Sequence, residues 1–159
     1  LRWPYLTVIG NHDLLANGRK VYQQMYGDLN YTFEYGHTRF VFIDTNSQEY
    51  GFNGQVPDIN WLNKQLVRQP GDTWEQAVVV SHIAPDDGDF DASLEQPFHN
   101  ALKDSGRVRL SLHGHSHSWR TDFRYDDTVL YLTTTTVKHR EFTYLRVWRD
   151  GYDHKRISF

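Results

Sequence analysis

Short apolar runs alternate with polar, glycine-punctuated stretches along this chain. Residues 5–9 form an apolar, β-branched run that ends at Gly10, which predicts a buried strand entering a loop. Residues 17–26 place Val21 and Met25 on one face and stop at Gly27, predicting a short helix. Tyr31–Tyr35 and residues 38–44 predict two strands joined by a Gly36-His37 turn. Residues 47–56 are polar and glycine-containing, hence loop. Residues 57–69 carry the strongest helical pattern: Ile59, Leu62 and Leu66 share a face, Asp58 is placed to cap, and Pro70-Gly71 ends the run.

Gln76–Val80 is almost continuously apolar, the pattern of a strand covered on both faces. An acidic loop follows at residues 86–91. Residues 94–105 predict a second long helix, opened by Ser93 with Gln96 three positions later and stopped by Gly106. Residues 108–112 predict another buried strand. Four further strand-like runs follow at 119–125, 129–135, 142–148 and 152–158. Asp126-Asp127 and Asp150-Gly151 supply turns between them. No repeat, linker or low-complexity segment interrupts the sequence, so one continuous domain is expected.

Composition narrows the class. At 159 residues the chain can build one real core. A net charge of −3 argues against a generic nucleic-acid or membrane-surface binder, which needs dense Lys and Arg. With no cysteine, a disulfide framework or thiolate metal site is impossible. No apolar run approaches a membrane span, and neither a signal peptide nor any other mark of compartment is visible.

The chemistry lies at the ends of the apolar runs. Gly10-Asn11-His12-Asp13, Ser81-His82 and Gly114-His115-Ser116-His117 each follow a predicted strand. If those strands share a sheet, the loops at their carboxyl ends meet, which is where open α/β sheets place ligands. Asn11, His82, His115 and His117 then form a donor set suited to Zn, Fe, Mn or Ni. Other histidines are weaker candidates. His113 borders the last motif. His37 sits in a turn, and His99 and His154 read as structural. Thr133 to Val137, with Lys138, His139 and Arg140, read as ordinary strand chemistry that borders a pocket at most. The acidic loop, Asp86-Asp87-Gly88-Asp89, lacks the spaced ligands of a helix-loop-helix calcium site. It reads as a mobile lid near His82 or a solvated loop.

In this order, with Ser81-His82-Ile83-Ala84-Pro85 between them, the three motifs resemble the last three motifs of the calcineurin-like metallophosphoesterases. The stretch Gly54…Trp61-Leu62…Leu66 is similar to bacterial members that resemble cyclic-nucleotide phosphodiesterases. The resemblance implies an α/β (α+β) fold of two packed mixed β-sheets flanked by helices. It implies a centre of two divalent ions that hydrolyses phosphomonoesters or phosphodiesters of small molecules or nucleotides. Asn11, His82 and His115 would bind the second ion and His117 the first. His12 would contact the phosphoryl oxygens and protonate the leaving group, with Asp13 orienting it.

The family's Asp-X-His and Gly-Asp-X-X-Asp motifs do not occur in this sequence. The expectation is therefore a C-terminal portion of such a domain, lacking the N-terminal strands and the segment that carries those carboxylates. Lacking a carboxylate beside its donors, the chain alone would hold at most one ion, weakly, and turn over no ester. Its affinity for that ion would fall as pH drops through the histidine range. Unpaired sheet edges would favour a dimer or strand-swapped oligomer. The competing expectation is a noncatalytic scaffold or protein-interaction domain of the same fold.

Overall fold

The computed structural model describes Arg2 and residues 4–159. Among the described residues, eight strands and three α-helices form a mixed α/β sandwich. The strands are β1 (Tyr31–Tyr35), β2 (Thr38–Phe42), β3 (Gln76–Val80), β4 (Val108–His113), β5 (Arg120–Asp122), β6 (Leu130–Thr133), β7 (Glu141–Trp148) and β8 (Gly151–Ser158). The helices are α1 (Gly18–Tyr26), α2 (Ile59–Leu66) and α3 (Ala92–Asp104). Six strands make one sheet in the order β1-β2-β3-β4-β6-β5. Its four inner strands, β2, β3, β4 and β6, run parallel, and β1 and β5 close the edges antiparallel. The second sheet is the β7–β8 hairpin, antiparallel from end to end rather than mixed.

Strand β3 is apolar on both faces because each face of the sheet is covered. One face sends Val41, Val79, Val129 and Tyr131 against Leu62 and Leu66 of α2 and Phe98 and Leu102 of α3. The opposite face sends Val78, Leu110 and Leu130 against Leu145, Val147 and Tyr152 of the hairpin. Successive strand residues point to opposite sides, so one near-continuous apolar run serves two layers.

Caps set the helix boundaries. Asp58 accepts the Trp61 N–H at 2.9 Å and starts α2 where expected. Helix α3 starts earlier than its Ser93 signal implies. Asp91 is the cap, accepting the Ser93 N–H at 3.0 Å and the Ser93 hydroxyl at 2.6 Å. The polar stretch at 47–56 contains a 3-10 turn, Ser47–Tyr50.

Residues 5–9 do not form a strand. A strand needs a neighbour's backbone, and this segment is held by side chains instead. The Tyr31 hydroxyl donates to the Thr7 carbonyl (2.6 Å), and the Tyr22 hydroxyl donates to Thr7 Oγ1 (2.6 Å). Ile9 is fully buried against Tyr22 and Leu29, whereas Tyr5 and Leu6 are exposed. Among the described residues no helix is long and apolar enough to cross a membrane.

Candidate metal centre

Because β3 and β4 are parallel neighbours, their carboxyl ends open on the same edge. Backbone pairing continues past the strands. The Ser81 N–H donates to the Leu112 carbonyl and the Gly114 N–H to the His82 carbonyl, both at 2.9 Å. The two loops are thereby locked together. The His82 and His115 rings meet edge to face, with centroids 5.2 Å apart.

The third loop arrives from the other side. Asp13 Oδ2 accepts the Gly10 N–H at 2.9 Å, and the Asp13 N–H donates back to the Gly10 carbonyl at 3.0 Å. This closes the 3-10 turn Asn11–Leu14. The turn carries Asn11 Oδ1 to 3.1 Å from His82 Nε2. Two donors at that spacing suit one cation with bonds of about 2.1 Å, the length typical of imidazole and oxygen ligands.

The electrostatics favour ligation. Burial, reinforced by the neighbouring His115 ring, pushes His82 down to about 4, against the opposing pull of Asp13. His117 and His12 push in the same direction as His115. A neutral imidazole is the form that binds a metal, so His82 is ready at neutral pH.

Space is tight behind His82. A Cβ on Gly10 would lie 3.3 Å from its Cε1 and Nε2 and 3.4 Å from Asp13 Oδ2. Gly10→Ala is therefore expected to displace the His82 ring from Asn11 and weaken metal binding roughly tenfold, as disturbance of supporting contacts does. Calorimetric titration with Mn²⁺ or Zn²⁺ checks this. Unchanged affinity would mean that the ring can shift at no cost.

The Gly114 loop carries two left-handed residues within three positions. His115 (φ 64°) and His117 (φ 55°) both occupy the left-handed region, which costs a non-glycine residue on the order of 1 kcal/mol or more. The His117 carbonyl accepts a hydrogen bond from Thr135 Oγ1 (3.2 Å), and Thr135 also contacts His139 Nδ1 (3.1 Å). The threonine-rich stretch after β6 thus buttresses the His117 loop.

Of the six residues singled out from sequence, Asn11, His82 and His115 come together. His117 and His12 lie exposed beside them, and neither ring makes a hydrogen bond among the described residues. Asp13 spends its carboxyl group on the Gly10 turn and makes no hydrogen bond to His12. His115 is engaged differently from expectation. Its Nε2 lies 2.9 Å from Asp89 Oδ2 and 3.8 Å from Asp87 Oδ1. The idea that no carboxylate stands beside these donors is therefore wrong, because the acidic loop supplies two. His113 is buried at the end of β4, hydrogen-bonded to Ser81 Oγ at 2.9 Å.

A second buried network supports the Asn11 turn. Asp44, just past β2, accepts the Asn46 backbone N–H (3.0 Å), Asn46 Nδ2 (2.6 Å) and the Tyr50 hydroxyl (2.9 Å). Asn46 Nδ2 also donates to the Ile9 carbonyl at 3.1 Å. The backbone leading into Gly10-Asn11 is thus tied to the end of β2.

No protein-family model and no curated protein matches the sequence. Among solved structures, the chain is similar to GAP50, the anchor in the inner membrane complex of Plasmodium. The TM-score is 0.58 at 20% identity, over 83% of this chain and 49% of that one. The chain thus spans about half the length of that neighbour. The likeness is one of fold.

Proposed function

We propose that this chain serves metal-dependent hydrolysis of phosphoesters, with Asn11, His82, His115 and His117 as donors to divalent cations such as Mn, Fe, Zn or Ni. The observation that carries the reading is the 3.1 Å approach of Asn11 Oδ1 to His82 Nε2. It is backed by the edge-on His115 ring, at the carboxyl edge of a parallel sheet. Cations bound there would supply a more acidic water and charge neutralisation at phosphorus.

The chain's own residues do the rest. His82, held neutral by burial, stays available as a ligand while Asn11 is aimed at it by the Gly10–Asp13 turn. His12 stands exposed on that turn. Its ring is free to bond a phosphoryl oxygen and to hand a proton to the leaving oxygen.

The test is hydrolysis of nitrophenyl phosphate monoesters and diesters by the protein expressed in full, without metal and with added Mn²⁺, Fe²⁺, Zn²⁺ or Ni²⁺. Metal-dependent release of nitrophenol is expected. His12→Ala should lower kcat by about 10²-fold, the size of a lost general acid, with metal affinity unchanged. Absence of hydrolysis with every one of the four metals would discard this reading. The alternative is a noncatalytic interaction domain, and the printed description of GAP50 as an anchor fits it. Intact, converging donors favour the hydrolase.

A further inference from the structure

We propose that the outer face of the β7–β8 hairpin binds single-stranded nucleic acid, with bases stacked on Phe142, Tyr144 and Trp148 and phosphates held by Arg146 and Lys155. Alternation assigns the two faces of the hairpin. Leu145, Val147 and Tyr152 point inward and pack on the large sheet. The β7 residues between them point outward, and Phe142, Tyr144 and Trp148 are 44%, 47% and 48% exposed. These three rings are therefore no part of the core.

The rings are seated in defined places. Trp148 lies directly across from Gly151, and a Cβ on that glycine would come within 2.9 Å of three indole atoms. The indole therefore rests on the bare backbone of Gly151 and turns its other side to solvent. The Phe159 ring flanks Phe142 at 6.1 Å between centroids. Along a strand, residues two apart on one face are separated by about 6.8 Å. Phe142 and Tyr144 thus form successive steps for the bases of an extended strand, and Trp148 follows beyond Arg146. Stacking on such rings tolerates any base sequence, because every base has a π-face.

The local charge fits the same ligand. Residues 138–159 carry six Lys and Arg against three Asp and Glu, whereas the whole chain has 17 against 20. The acidic overall balance thus conceals a basic hairpin. Lys155 lies directly across from Tyr144 and has no ion-pair partner among the described residues. Arg146 meets Asp153 at 3.3 Å in an exposed pair, which a phosphate can replace at little cost. Phosphates therefore find two cations set among the rings. A second protein surface fits less well, because Lys is depleted at the centres of protein interfaces. A duplex fits less well too, since its bases are stacked on one another and offer the rings no open face.

The test is fluorescence anisotropy of a labelled oligothymidylate of about ten nucleotides, titrated with this protein. A chelator is kept in the buffer, so that no metal-held phosphate contributes and the outcome is independent of the phosphoesterase reading. Binding is expected, and it should weaken with salt at a log–log slope of about −1.4, the value for two phosphate contacts on a single strand. Tyr144→Ala with Trp148→Ala should weaken it at least tenfold, and Tyr144→Ala alone about fivefold, the size of a lost base stack. Arg146→Ala with Lys155→Ala should remove most of the salt slope. Tyr35→Ala, on the far edge strand β1 and likewise exposed, should change affinity less than twofold. Circular dichroism checks that each variant folds, and the single Tyr144 variant stands in where a double one does not. No binding at submillimolar protein would overturn the proposal, and so would equal affinity in the parent and the Tyr144 variants. Self-association abolished by those same variants, without oligonucleotide binding, would assign the face to a second copy instead.

Discussion

Asp44→Ala is expected to destabilise the protein by about 3–5 kcal/mol, and to weaken metal binding as well. The residue is buried and its two carboxyl oxygens accept three donors: the Asn46 N–H, Asn46 Nδ2 and the Tyr50 hydroxyl. Removing the acceptor strands those donors in a site with little water. Each unpaired buried donor costs about 1–3 kcal/mol, and the losses do not add in full because Asn46 Nδ2 keeps its bond to the Ile9 carbonyl. The same variant loosens the tie between β2 and the backbone entering Asn11, so the Asn11–His82 contact should suffer. Urea unfolding checks the first effect and Zn²⁺ titration the second. A loss below about 1 kcal/mol would show that water replaces the carboxyl group at no great cost.

The parallel core was legible because the pattern there is unambiguous. Gln76–Val80 is almost continuously apolar and the run after Gly106 alternates Val108, Leu110 and Leu112 with polar residues, and both became inner strands. The Asp58 cap and the Ile59, Leu62, Leu66 stripe located α2 to within a turn. Prediction failed where the local pattern was right but the partner was lacking. Residues 5–9 have strand character, yet strand formation is decided by a neighbour's hydrogen bonds, and Thr7 is held by Tyr22 and Tyr31 instead. The run at 119–125 shrank to Arg120–Asp122, the three residues whose backbone pairs with β6.

The site was half legible for a related reason. A donor just after a buried strand has its position set by the sheet, so His82 and His115 could be gathered from spacing, whereas Asn11 reaches them from a segment that is not a strand. Asp87 and Asp89 lie in a loop whose path depends on distant anchors, and nothing in Asp86-Asp87-Gly88-Asp89 marks two carboxylates as facing His115. The available signal was the pair of apolar anchors around them. Ile83 and Phe90 bracket the loop, and a short loop fastened to the core at both ends is a poor candidate for a mobile lid. Asp44 and Asn46 escaped notice for a simpler reason: polar residues after a strand usually read as solvated loop, and these are buried.

In metal-free buffer the protein should lose stability as pH falls below about 6.5, and His113 should account for about 3 kcal/mol of that loss by pH 4. The ring is 2% exposed at the end of β4. One nitrogen meets Ser81 Oγ, and the other, Nε2, has no hydrogen-bond partner among the described residues. Burial, with the Arg120 cation adding to it, pushes the imidazole down from 6.5 to about 3. The sign follows from proton counting. Above pH 6.5 the ring is neutral folded and unfolded, and it adds no pH dependence. Between 6.5 and 3 only the unfolded chain takes up the proton, so acid favours unfolding by about 1.4 kcal/mol per pH unit. Below 3 both states are protonated and the effect stops growing. His82, held down to about 4, acts in the same direction over a narrower window. His113→Asn keeps a polar partner for Ser81 but removes the titrating ring. Its unfolding free energy, measured by urea at several pH values between 4 and 7, should fall less steeply than that of the parent chain. Equal slopes for the two proteins would show that His113 reaches solvent and its proton before the fold gives way.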